Sequence, residues 1–146
     1  MNTDELIALL RHNARTSNED LAKELNASEE EVSAAVRELE EEGALLGYQA
    51  IVNSQLLTKD CVQAVVEVRL TPERGGGFDR LASRIARFED VVSCYLMSGS
   101  YDLLVVVQGD TLHEIATFIS EKLSTIKGVI STATHFRLKA YKENGV

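Results

Sequence analysis

A chain of 146 residues, 45% hydrophobic and 26% charged, has room for one ordinary domain or two small ones and the composition of a soluble globular protein. Its net charge of −8 is uneven: residues 1–60 carry five basic against thirteen acidic side chains, and residues 61–146 carry ten of each. An acidic N-terminal part argues against a basic nucleic-acid footprint, and no apolar run approaches the ~18 residues of a membrane span.

The opening "MNTDELIALL" lacks the basic n-region of a signal peptide. Cys61 and Cys94 are far from each other and from any His at metal-ligand spacing, so they read as reduced, buried thiols. These features point to a cytoplasmic protein with no metal, no cofactor and no membrane partner.

Residues 1–43 read as three helices. "TDELIALLRHN" gathers Leu6, Ile7, Leu9 and Leu10 on one broad face. "SNEDLAKEL" starts with Ser17 and Asp20 at capping-box spacing and buries Leu21, Ala22 and Leu25. After the short turn "NAS", Ser28 and Glu31 repeat that spacing, and Val32, Ala35, Val36 and Leu39 form a buried stripe that ends before Gly43. Two short helices across a tight turn, with a helix ahead of them, make a helix-turn-helix. The charge of the third helix is anomalous for a DNA reader: seven of the sixteen residues 28–43 are Glu, and only Arg37 is basic.

The segment "LLGYQAIVN", 45–53, changes to β-type residues and is expected to form a linking strand. The chain then alternates: strand 61–70, helix 78–88, strands 91–97 and 101–108 around "SGS", helix 111–123 and strand 129–141. The order β-α-β-β-α-β is the ferredoxin-like arrangement, so the class is α+β. Both helices cover one sheet face. The other still carries Val and Leu, which predicts a homodimer. "ERGGGFD" has neither a Walker lysine nor G-x-G-x-x-G spacing and reads as a flexible loop.

The helical segment "ARTSNEDLAKELNASEEEVSAAVRELEEEGALLGY" and the hairpin "VVSCYLMSGSYDLLVVVQG", in this order, resemble the Lrp/AsnC family of feast/famine regulators. The resemblance spans nearly the whole chain. It implies a winged-helix type helix-turn-helix at 1–45, a linking strand and linker at 46–60, and an effector-binding and oligomerisation domain at 61–146. The function implied is an amino-acid-responsive transcription regulator that binds double-stranded DNA, weakly and multivalently here. It is implied to assemble as a homodimer, and further as a ring of dimers, with a small amino acid or related effector bound between dimers.

The DNA-facing candidates are Ser17, Ser28, Glu30, Ser33, Ala34 and Arg37. Glu30, Ala34, Arg37 and Glu41 lie opposite the buried stripe, on the face that would enter a major groove. Arg37 suits a guanine, or else pairs within the helix with Glu40 or Glu41. For the ligand, the resemblance implies Met97, Ser98, Gly99, Ser100, Tyr101 and Asp102, with Thr132 and Thr134 supplying hydroxyls from a neighbouring subunit. Carried over, Asp102 accepts the ligand's ammonium and the amides near Gly99 face its carboxylate. Without the family, Asp102 reads as a turn-stabilising residue and the threonines as ordinary strand residues.

Two other readings stand beside the regulator. One is an oligomeric ligand-binding module with weakened or lost DNA binding. The other is an enzyme similar to the sirohaem decarboxylases, for which His135 and Arg137, alternating on one strand, are the only cluster to test. His12 and His113 lie on separate elements, and no catalytic residue is expected.

Overall fold

The computed structural model describes Met1–Val146 and divides into two compact units, Met1–Val52 and Asn53–Val146. In the first, α1 (Thr3–His12), α2 (Asn18–Leu25) and α3 (Glu29–Glu41) are each started by a side-chain cap. Asn2 accepts from the Asp4 and Glu5 amides, and Ser17 from the Asp20 amide. The cap of α3 is reciprocal: the Ser28 hydroxyl accepts from the Glu31 amide, and the Glu31 carboxylate accepts from the Ser28 amide at 2.8 Å. Hydrogen bonding from the Ser28 backbone, and then from its hydroxyl, holds the Glu31 carboxyl below the usual carboxylate range.

Asn26, in the left-handed region at φ 51°, ends α2, and Gly43 at φ 76° follows α3. The three helices close over Leu6, Leu10, Leu21, Ala22, Val32 and Leu39. The predicted stripe of α3 is the observed one, with Ala35 and Val36 at its margin.

The linking strand is not formed. Ala44 and Leu45 still donate to the Leu39 carbonyl, but residues 46–52 join no ladder. A strand exists only by pairing, and this stretch has no neighbour within the protomer. Leu46, Tyr48, Ile51 and Val52 are consequently exposed.

The second unit is a four-stranded antiparallel sheet in the order β2-β3-β1-β4, formed by β1 (Val62–Leu70), β2 (Val91–Leu96), β3 (Leu103–Gly109) and β4 (Val129–Phe136). Ala64, Val66, Val68 and Leu70 of β1 and Leu103, Val105 and Val107 of β3 share its inner face. Over them pack α4 (Asp79–Ala86) and α5 (Leu112–Phe118), through Leu81, Ile85, Ile115 and Phe118. Phe88 meets Phe118 edge to face at 5.3 Å. The alternate residues Val65, Glu67, Leu104 and Val106 occupy the opposite, uncovered face, a consequence of the period of two.

Two predicted elements end early. Helix 111–123 is α-helical only to Phe118, after which the turn widens over Ile119–Leu123 and the Ser124 amide reaches back to the Ile119 carbonyl at 2.8 Å. Widening the turn still buries Ile119 and Leu123. The last strand stops at Phe136, because Val62 begins the only neighbouring strand; Leu138 and Tyr141 lie beyond the ladder and are exposed.

Gly128, at φ 103°, opens β4, and a Cβ built there falls 2.7 Å from Cδ1 of the buried Leu81. Neither the conformation nor the space suits another residue. Gly128→Ala should therefore cost about 1–3 kcal/mol in denaturant unfolding, whereas Gly47→Ala, with open space around it, should stay within about 0.5 kcal/mol.

Candidate functional site

The outward face of α3 presents Glu30, Ala34, Arg37 and Glu41, all exposed, with Ser33 half-buried beside them. A shallow concavity of about 440 Å³ runs over this face, lined by Asn18 at the start of α2 and by Glu29, Glu30, Ser33, Ala34 and Arg37. The sequence-derived set is thus brought together, apart from the two capping serines. Ser17 and Ser28 are occupied differently. The Ser17 hydroxyl donates to the Asp20 carboxylate at 2.9 Å, so its proton is committed. The Ser28 hydroxyl accepts from the Glu31 amide, and the Glu31 carboxylate beside it takes the Ser28 amide.

Arg37 makes no ion pair, so the within-helix pairing with Glu40 or Glu41 does not form. Glu40 instead accepts from the Tyr48 hydroxyl at 2.8 Å, and that bond raises the phenol's pKa. Tyr48 was not among the candidate residues, although it lies in the "GY" step that follows α3. Its bond ties the chain after α3 back to the helix's C-terminal turn. Lys23 sits 2.6 Å from Glu19 and 3.7 Å from Asp20, so its charge is shared with two carboxylates. Arg11, Arg37 and, in the turn between α1 and α2, Arg15 are the unpaired arginines of this unit.

In the second unit, the residues from Met97 to Asp102 form the turn between β2 and β3. The Met97 amide donates to the Asp102 carbonyl at 2.8 Å, and Gly99 at φ 129° permits the reversal. Ser98, Gly99 and Ser100 are exposed, while Tyr101 and Asp102 are half-buried. Asp102 is anchored twice to β1: its amide donates to the Val68 carbonyl at 3.0 Å, and its Oδ2 accepts from the Leu70 amide at 2.7 Å. The other carboxylate oxygen has no hydrogen bond within the protomer.

Thr132 and Thr134 pair opposite Val68 and Val66, which puts them on the helix-covered side of the edge strand β4. Thr132 Oγ1 lies 3.2 Å from Ser124 Oγ. Strand β1 stands between the threonines and Asp102, and neither threonine hydrogen-bonds to the hairpin within one protomer. Elsewhere, His12, His113 and His135 stand on α1, α5 and β4, and His135 Nε2 is 3.6 Å from a Glu67 carboxylate oxygen. Burial pushes the Cys94 thiol up, and burial together with Asp60 does the same for Cys61. No helix is long and apolar enough to cross a membrane.

Residues 63–146 match the family model for the Lrp/AsnC ligand-binding domain, and residues 5–45 match a winged helix-turn-helix DNA-binding model. The chain belongs to the Lrp/AsnC family. An uncharacterised helix-turn-helix transcriptional regulator of Bacillus subtilis, YugG, is 42% identical over 97% of this chain and 86% of its own length. The leucine-responsive regulatory protein of Haemophilus influenzae is 28% identical over 92% of this chain and 80% of its own. Among solved structures, Escherichia coli AsnC covers 99% of this chain and 95% of its own at a TM-score of 0.66 and 21% identity. A Neisseria meningitidis transcriptional regulator in complex with L-Met covers 98% and 92% at a TM-score of 0.71 and 22% identity. At those identities the structures establish the shared fold.

This Lrp/AsnC chain is therefore a DNA-binding transcription regulator with a ligand-binding domain, not an enzyme, and the sirohaem reading falls with the family assignment. The two anchors of Asp102 generate a prediction about stability. Asp102→Ala orphans the half-buried Leu70 amide and should cost about 1–3 kcal/mol in denaturant unfolding. Asp102→Asn retains an acceptor oxygen and should lose clearly less. Equal losses would show that the bond to Leu70 does not hold the hairpin.

Proposed function

We propose that this regulator reads duplex DNA weakly through α3 and responds to a small amino acid at the β2–β3 hairpin. It acts as a homodimer, and as a ring of dimers, in the cytoplasm. The observation that carries the DNA reading is Arg37: an unpaired guanidinium on the outward face of a helix-turn-helix, able to meet a guanine edge. The carboxylates around it oppose phosphate within a Debye length of about 8 Å, so single-head affinity is low and several heads must act together.

With Lys23 occupied, Arg11, Arg15 and Arg37 are the cations left for phosphate and base. Two or three contacts per head give about 4 to 6 neutralised phosphates per dimer and a log–log salt slope of roughly −4 to −5. Glu30→Arg with Glu41→Arg should tighten binding to any duplex about tenfold or more, because two repulsions become attractions per head. Arg37→Ala should weaken the specific site by about 1–3 kcal/mol. Fluorescence anisotropy at two salt concentrations, on the gene's upstream region and on an unrelated duplex, checks both. If the double variant binds no better than the native chain, α3 does not face DNA, and the ligand-module reading replaces this one.

Dimerisation is supported by the uncovered sheet face, where Val65, Leu104 and Val106 lie without a covering layer. For the effector, support comes from the free oxygen of Asp102 and the exposed turn around Gly99. The leucine-responsive relative and the L-Met complex point to the same ligand class. In calorimetry with a panel of small amino acids, the native chain should bind at least one. Asp102→Asn, which removes charge but keeps an acceptor for Leu70, should weaken that binding about tenfold or more, as expected for loss of one charge-assisted contact. Light scattering on the same samples should give at least twice the 16.1 kDa chain mass. A stable monomer would rule out the dimer, and retained affinity in Asp102→Asn would rule out its role toward the ammonium.

A further inference from the structure

At the C-terminal end of β1 lies a cleft of about 360 Å³ that shares no lining residue with the hairpin or with α3. Its lining includes Arg80 and Arg84 of α4, Lys127 from the turn before β4, and Thr71 and Glu73 from the chain leaving β1. Three cations against one carboxylate leave a local charge of +2 in a unit whose residues 61–146 are neutral as a whole. We propose that this cleft binds a small dianion: a phosphate monoester or a dicarboxylate.

The floor of the cleft is built rigidly. Gly128 meets the buried Leu81 too closely to admit a side chain, and its carbonyl accepts from the Thr71 amide at 2.8 Å. That bond joins the end of β1 to the start of β4 beneath the cations. Arg80 and Arg84, spaced i, i+4, project from one face of α4. Their planar forks suit two oxygens of a carboxylate or phosphate, Lys127 adds a third charge from a different element, and the Thr71 hydroxyl adds a neutral donor.

Glu73 does not cancel the site. Its carboxylate is 4.0 Å from Arg80 Nη1, beyond hydrogen-bond range, and the arginine is 85% exposed. Such a pair is weak and leaves the guanidinium free to take an anion. The cations converge on a concavity instead of spreading along a surface, which suits a small molecule better than the regularly spaced phosphates of a duplex.

Amide NMR titration of the full chain at low salt tests this with inorganic phosphate, succinate and acetate. Phosphate and succinate should shift the Thr71, Lys127 and Gly128 resonances together, and the monoanion acetate should bind about tenfold more weakly or worse. Tighter phosphate binding would identify a phosphorylated ligand, and tighter succinate binding a dicarboxylate. Arg84→Gln with Lys127→Gln, both exposed positions, should lower dianion affinity about tenfold or more while the remaining spectrum is unchanged. The proposal fails if neither dianion shifts these resonances at about 20 mM, far above the range of a useful effector site. It also fails if the double variant binds them as the native chain does. Loss of duplex DNA affinity in the double variant, comparable with its loss of dianion affinity, would instead make the cluster a DNA contact and overturn the proposal.

Discussion

Strand β1 is hydrogen-bonded along both edges, to β3 on one side and β4 on the other, and the β2–β3 hairpin and the start of β4 both attach at its last residues. The Leu70 amide has a register shift beside it and is taken by the Asp102 carboxylate, not left unpaired. One residue later, the Thr71 amide is taken by the Gly128 carbonyl. Both are backbone donors at the margin of a sheet, where an orphaned amide is costly, and both are satisfied by residues that also shape a recess or a turn. The hairpin and the cationic cleft therefore rest on one well-determined strand, although they share no residue.

The fold was legible where local rules and burial agree. The capping serines, the α3 stripe and the period-two alternation of β1 and β3 all required the same solution from propensity and from core packing. Legibility failed where an element depends on what lies beside it. Residues 45–53 have the composition of a strand, but composition supplies no ladder partner, and within one protomer they have none. The end of the α5 segment failed for a different reason. Apolar periodicity counts buried residues and is blind to a turn of five residues in place of four, so Ile119 and Leu123 looked helical and are indeed buried.

Site residues were legible by type and less so by state. Arg37 was identifiable as the basic residue of an acidic helix, but only coordinates reveal that Glu40 is engaged by Tyr48 and leaves the arginine unpaired. Ser17 and Ser28 are indistinguishable as capping residues in sequence, yet the Ser17 hydroxyl bonds the Asp20 carboxylate, while at Ser28 the Glu31 carboxylate takes the backbone amide. The cationic cleft was invisible because Lys127 lies more than forty positions beyond Arg80 and Arg84, and the three belong to no motif.

The pairing of a glycine-locked floor with an exposed rim also bears on how such a protein can change. Leu81 and Gly128 are mutually constrained, so drift at either is opposed by the core. Positions 80, 84 and 127 face solvent, where replacements typically alter stability by no more than about 0.5 kcal/mol. Selection can therefore rewrite the charge and size of what the recess accepts, one substitution at a time, without passing through a poorly folded intermediate. Paralogues built on this backbone would be expected to diverge first at those three rim positions, keeping the platform and exchanging the signal.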